Sequence, residues 1–193
     1  MSKQIGIFSG TFNPIHSGHL MLANYMSEFT FLDEVWLLVT PHNPLKEKND
    51  ILDEDIRLKM TEMALGEYDK LKVSDFEFKL PRPSYTIQTL DALTKEYPDS
   101  KFTLIIGGDS WLDFHRWKDY ERLRSEYNIL IYPRLGGEVV IPEEFKRNVH
   151  LVNAPIVEVS STFIRDSIKE GKNMRAFVPS RTYDFIEENS LYV

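Results

Sequence analysis

Cysteine is absent from all 193 residues, which excludes disulfides, thiolate metal sites and a thiol nucleophile. Also absent is any run of ~20 apolar residues able to span a bilayer. The opening Met1-Ser2-Lys3-Gln4 passes directly into a short apolar stretch, without the apolar region of a secretory signal. Positive charge is in deficit: 23 Lys and Arg stand against 30 Asp and Glu, a net charge of −7. Broad nucleic-acid binding depends on many cations neutralising phosphates, so an acidic chain argues against a nucleic-acid partner. The expectation is a soluble, cytoplasmic chain with neither membrane nor nucleic-acid partner; a homo-oligomer is left open. A small anionic ligand is not excluded, because a local cluster of cations can outweigh the average.

What is present is a core. Hydrophobic residues make up 42%, including twelve Phe, nine Tyr and three Trp, and the length suits one domain over residues 1–193. Short apolar runs at 5–8, 35–39, 102–106, 129–132 and 149–152 read as strands, with 71–78 a looser edge or crossing strand. Between them lie helical spacings, such as Leu20, Leu22, Ala23, Met26 and Phe29, or Ile87, Leu90 and Leu93. A further helix is expected through 116–127, and two more at about Ser161–Lys169 and Ser180–Glu188. Such alternation implies an α/β, Rossmann-like, doubly wound and mostly parallel sheet with helices on both faces and C-terminal helices. Segments 41–50 and 135–145 read as the mobile loops. Ligands of such sheets bind beyond the carboxyl ends of the strands, so the loops after strands are where chemistry is sought.

After the first strand comes Gly10-Thr11-Phe12-Asn13-Pro14-Ile15-His16-Ser17-Gly18-His19. Gly10 permits a tight turn, Asn13-Pro14 initiates one, and a helix is expected to start near Ser17 with its free N–H groups favouring an anion. His16 and His19, three apart, become neighbours at a helix start. The same residues could form a turn with two capping histidines, or hold a metal, although no third ligand stands nearby. Late in the chain, Val159-Ser160-Ser161-Thr162-Phe163-Ile164-Arg165 places Ser161 as a helix cap and Arg165 beside the first turn. A cation there opposes the helix dipole unless an anion binds. A capped helix with a solvated arginine is the alternative.

The first segment resembles the TxxHxGH signature of the HxGH nucleotidyltransferase superfamily, and the second is similar to its ISSTxIR motif. The resemblance implies that His16, His19, Lys46 and Arg165 are catalytic. It implies further that Gly10, Thr11 and Phe12, with Ser160, Ser161 and Thr162, surround ATP. Lys46 follows the second strand in Pro41-His42-Asn43-Pro44-Leu45-Lys46, where the family carries a triphosphate lysine; Lys48 lies close by. Gly107-Gly108-Asp109 follows the third strong strand, like the family's adenosine segment, with Asp109 placed to accept from a ribose hydroxyl. Arg134, ending Tyr132-Pro133-Arg134, is a further anion candidate.

Over essentially its whole length the chain is similar to bacterial nicotinate-nucleotide adenylyltransferases. That likeness implies an acceptor pocket of Asn13, Lys46, Ser84, Tyr85, Thr86, Trp117 and Lys118, with Thr86 and amides near Trp117 on a pyridine carboxylate and the indole on the ring. Many members have tyrosine after the tryptophan, where this chain has Lys118. The partners implied are ATP and nicotinate mononucleotide, with Mg2+ bound through the ATP phosphates and no protein metal site. Nicotinamide mononucleotide or phosphopantetheine as acceptor, and a nucleotide sensor without turnover, are the rival readings.

Overall fold

A computed structural model describes residues 2–41, 51–66 and 68–193 of the chain. The expected mobile loop at 41–50, with Lys46 and Lys48, lies outside the described residues except for Pro41. Six strands form one sheet, all parallel, in the order β3-β2-β1-β4-β5-β6. In chain order they are β1 (Lys3–Gly10), β2 (Glu34–Val39), β3 (Leu71–Ser74), β4 (Ser100–Gly107), β5 (Asn128–Tyr132) and β6 (Val149–Leu151). The helices are α1 (Ser17–Phe29), α2 (Glu54–Leu65), α3 (Thr86–Glu96), α4 (Gly108–Leu112), α5 (Tyr120–Glu126), α6 (Ser161–Lys169) and α7 (Ser180–Glu188).

Period-two alternation along the strands builds two cores, one on each side of the sheet. Phe8, Val35, Leu37, Ile105 and Leu130 face a cluster completed by Leu22 and Met26 of α1, Met60 of α2, Ile164 of α6 and Tyr183 of α7. Ile5, Ile7, Leu38, Leu104, Ile106 and Ile129 face the other, closed by Ile87 and Leu90 of α3 and Leu123 of α5. Each such side chain, fully buried, contributes about 1.5–3 kcal/mol against exposure. The chain runs outward from β1 through β2 to β3, then returns by α3 to β4 on the other side of β1. The strand order therefore reverses between β1 and β4, and the loops after these two strands diverge to leave a crevice.

Three expectations need correction. The helix expected through 116–127 is broken: a 3-10 turn at Phe114–Arg116 precedes α5, and Asp119 adopts a left-handed φ of 50°. Phe114, Trp117 and Tyr120 all pack toward the same core at a spacing of three, which suits a 3-10 turn better than an α-helix. The 71–78 strand ends at Ser74, whose hydroxyl accepts the Phe76 N–H at 3.2 Å; a 3-10 turn, Phe76–Lys79, follows. The cap of α6 is Ser160, not Ser161. Ser160 is extended and its Oγ accepts the Phe163 N–H at 3.1 Å, while the Ser161 hydroxyl donates to the Pro14 carbonyl at 2.9 Å. The 135–145 loop folds back: Val139, Ile141 and Phe145 pack on the core, and the Trp111 indole donates to the Val140 carbonyl at 3.1 Å.

Arg57 of α2 is 1% exposed, on the helix face it shares with Met60, Thr61 and Ala64. Its Nε donates to the Leu52 carbonyl at 2.8 Å and one terminal nitrogen to Thr11 at 2.6 Å and Thr40 at 2.8 Å. The other donates to Pro41 at 3.0 Å. The guanidinium thus ties the turn after β1 to the end of β2 and to the approach of α2. Truncation would strand four carbonyls that are buried or partly buried. R57M is expected to lose roughly 3 kcal/mol or more of folding free energy in urea titrations. R57K should recover less than half of it, since a point-like ammonium cannot reproduce the fork.

Candidate active site

A cleft of about 830 Å³ opens at the reversal point, beyond the carboxyl ends of β1 and β4. Every site residue expected from the sequence that is among the described residues lines it; Lys46 lies outside them. The floor is the turn Gly10-Thr11-Phe12-Asn13. Phe12 takes a left-handed φ of 46°, a strained conformation for a non-glycine residue, and its ring is 2% exposed. The aromatic burial holds the turn in place.

His16 caps α1 in an extended conformation, and the helix begins at Ser17 as expected. The rings of His16 and His19 stack with centroids 3.6 Å apart and planes inclined by 23°. The His16 backbone N–H donates to His19 Nδ1 at 3.2 Å. Nδ1 must then carry a lone pair, so a neutral His19 keeps its proton on Nε2. Phe12 packs edge-on against His19 at 5.0 Å. A Cβ on Gly18 would come within 3.1 Å of His16 Nδ1, so glycine leaves room for that ring over the first turn. His16 is 4% exposed, and burial, assisted by the Arg134 charge, lowers its pKa to about 4. It is a neutral imidazole throughout the physiological range.

The opposite lip is the start of α6. Arg165 donates to the Asn13 carbonyl at 3.0 Å and to Thr162 Oγ1 at 3.4 Å. With the Ser161–Pro14 bond, these contacts seat α6 on the β1 turn. No acidic residue occupies the first turn of α1 or α6. Both N-termini therefore present positive potential to the cleft. After β4, a Cβ on Gly107 would collide with the Asp109 carboxylate and lie 3.2 Å from the Tyr132 ring. Arg134 sits 3.9 Å from Asp109.

At the far end, α3 begins at Thr86 with Tyr85 as a cap that makes no side-chain capping bond. Lys118 lies over the Tyr85 ring at 4.5 Å. Trp117 packs against Phe114 at 5.3 Å, and its own N–H is taken by the Phe114 carbonyl at 3.0 Å. Glu77, Thr40 and Tyr132 also line the cleft and were not expected there. Glu77 is 5% exposed; it accepts from Thr89 at 2.8 Å and from Ser84 at 3.3 Å, so the Ser84 hydroxyl is engaged in holding this loop. Burial raises the Glu77 pKa against those two bonds. Its place beside Phe76 in a loosely alternating run gave no signal of this. For Arg57 a signal existed, an arginine on the apolar stripe of α2.

The chain matches the family described as cytidylyltransferase-like over residues 7–167. It is 49% identical over 193 residues to "Probable nicotinate-nucleotide adenylyltransferase" of Flavobacterium johnsoniae, covering 98% of both chains. A relative of the same description from Bacteroides fragilis is 53% identical over 178 residues, covering 92% of this chain and 88% of the relative. The chain belongs to the nicotinate-nucleotide adenylyltransferase family. In fold it superposes with a TM-score of 0.80 on "Plasmodium falciparum nicotinic acid mononucleotide adenylyltransferase complexed with NaAD". That match has 21% identity and covers 98% of this chain and 97% of the other. Among the described residues no helix is long and apolar enough to cross a membrane.

Two outcomes follow. A histidine whose pKa falls from the ordinary 6.5 to about 4 on folding stabilises the fold above pH 6.5 and loses that contribution as the pH drops toward 4. Urea titrations from pH 7 to pH 4 should show wild type losing roughly 3 kcal/mol more than H16N. At His19, loss of one donor to a developing phosphate charge should lower turnover by ~10²–10³ in H19A, with a native circular dichroism spectrum. Turnover within a few-fold of wild type would reduce His19 to a helix cap.

Proposed function

We propose that the protein transfers AMP from ATP to nicotinate mononucleotide, giving nicotinate adenine dinucleotide and pyrophosphate. The observation that supports this most is the single cleft, which joins the histidine–arginine end to the Thr86–Trp117 end. A phosphate oxygen of the acceptor attacks the α-phosphorus of ATP, and the bond to the bridging oxygen breaks, its electron pair leaving with pyrophosphate. No enzyme nucleophile is required, so positioning and charge stabilisation carry the rate.

In this reading His19 donates from Nε2 to an α-phosphate oxygen whose charge grows in the transition state. His16, buried and neutral, adds a dipole that does not vary across the physiological pH range. Arg165 is held by two neutral partners, the Asn13 carbonyl and the Thr162 hydroxyl. Its charge is thus directed to the triphosphate, with Ser160 and Ser161 on the same side. Asp109 takes a ribose hydroxyl, and the Gly107 turn admits the nucleoside without a Cβ in its path. Arg134 adds positive potential over the same wall. Mg2+ is assigned to the substrate: a hydrated ion held by the polyphosphate oxygens needs no protein cage and neutralises part of their charge. Among the described residues, no group of three or more His, Cys, Asp or Glu is arranged to hold a metal ion.

The acceptor occupies the other end, while Asn13, which receives Arg165, belongs to the triphosphate side. Its pyridine stacks on Trp117, and its carboxylate meets Thr86 and the uncapped N–H groups at the start of α3. Since the Trp117 N–H is already engaged, the second backbone donor is assigned to Lys118. An amide in place of the carboxylate loses a charge-assisted bond and turns an NH₂ toward a donor. At roughly 1.5–3 kcal/mol for the bond and ~1–3 kcal/mol for the stranded donor, the acid should be preferred by ~10²–10⁴ in kcat/KM. The expected result, from pyrophosphate release with both mononucleotides, is that preference in wild type, a narrower gap in T86V, and a loss for both in W117A. Equal use of acid and amide would sink the carboxylate pocket, and turnover of phosphopantetheine alone would overturn the acceptor.

A further inference from the structure

Beyond α7, the chain turns through two non-glycine residues of left-handed φ, Ser190 at 48° and Tyr192 at 66°. The Leu191 N–H returns to the Ile186 carbonyl at 3.0 Å and the Ser190 N–H to Glu187 at 3.1 Å. Leu191 and the Tyr192 ring pack against the core beneath α1, α2 and α6. This turn carries the Tyr192 hydroxyl 179 residues back along the chain, to donate to Asn13 Oδ1 at 2.9 Å. The same oxygen accepts the Leu52 N–H at 3.3 Å, from the approach to α2. Asn13 is 3% exposed, and its carbonyl is the one that receives Arg165. Burial raises the phenol's pKa against the pull of Arg165 and Arg57, so the group is a neutral O–H donor. Left-handed φ at serine and tyrosine is costly, and it persists where surrounding contacts fix the conformation.

We propose that Tyr192 is a positioning residue for the triphosphate wall: its hydroxyl orients Asn13, and the Asn13 carbonyl in turn fixes the Arg165 guanidinium. A hydroxyl suits this place. A carboxylate at the same point would pair with Arg165 and Arg57 directly and cancel the charge that faces the cleft. A plain apolar ring would fill the volume but remove the shorter of the bonds to Asn13 Oδ1 given above. The inference rests on Arg165 being a triphosphate ligand.

Y192F tests it, because the ring packing stays and only the hydroxyl leaves. One neutral hydrogen bond lost at a positioned group corresponds to about a 3- to 10-fold change. The expected result is an ATP KM raised by that factor, with the KM for nicotinate mononucleotide unchanged. The Kd of a non-hydrolysable ATP analogue, measured by calorimetry, should rise in parallel. In an R165A background, Y192F should have no further effect on analogue binding, since the hydroxyl acts through that guanidinium. Unchanged ATP parameters, equal losses for both substrates, or an additive effect in R165A would each overturn the proposal. So would a Y192F chain that fails to fold, by showing the hydroxyl to serve the core. The calorimetric arm decides without turnover; a wild type that binds the analogue but ignores nicotinate mononucleotide refutes the proposed acceptor and leaves this inference standing.

Discussion

Parallel sheets leave their strand ends as separate loops, and nothing in the ladder of hydrogen bonds says how those loops should sit relative to one another. Here a buried guanidinium supplies that information. Arg57 gathers carbonyls from Thr11, Thr40, Pro41 and Leu52, joining the turn after β1 to both ends of the segment between β2 and α2. A second brace, the Thr40 N–H to the Gly10 carbonyl at 2.9 Å, keeps the ends of β1 and β2 in register. A charge buried at this depth is expensive unless every donor is matched, which is why the contacts specify one arrangement and no other. The strained Phe12 backbone, the seating of α6 through Asn13 and Pro14, and the entry to α2 all stand on that arrangement.

Electrostatics at the cleft follow from backbone geometry more than from a surplus of cations. The chain as a whole is acidic, with a net charge of −7. Yet the N-termini of α1, α3 and α6 converge on one cavity, and none has an acidic residue in its first turn. The fixed dipoles act in a partly desolvated space, where they are stronger than mobile surface charges. A cationic His16 would sit with its ring 3.6 Å from that of His19 and near the Arg134 charge. Burial keeps the His16 imidazole neutral instead.

Much of this was legible in the residues. Strand runs and helical spacings follow from burial on two faces of a sheet, so Ile5, Leu38 and Leu104 announced themselves by the apolar runs they sit in. The phosphate-side turn was legible because few sequences place a glycine, a proline and two histidines at that spacing. Trp117 was found by its motif, but the broken helix around it was not, because a spacing of three resembles a spacing of 3.6 over so short a distance. The cap at Ser160 was missed by one position, since two adjacent serines are equivalent until their backbones are known. Glu77 and Tyr192 escaped for a different reason. Their partners lie 7 and 12, and 179 residues away, and such contacts leave no local pattern.

The hydrogen bonds from Ser161 to Pro14, Arg165 to Asn13 and Tyr192 to Asn13 span 147, 152 and 179 residues. They give the molecule an order of assembly. During translation, at roughly 5–20 residues per second, the turn around Asn13 leaves the ribosome well before the residues that hold it. The sheet can pair and bury its faces as far as β5 while that turn still lacks these three bonds. A nascent chain that has not yet released α6 and α7 lacks part of one core and these three bonds, so the cleft wall closes only as those helices emerge.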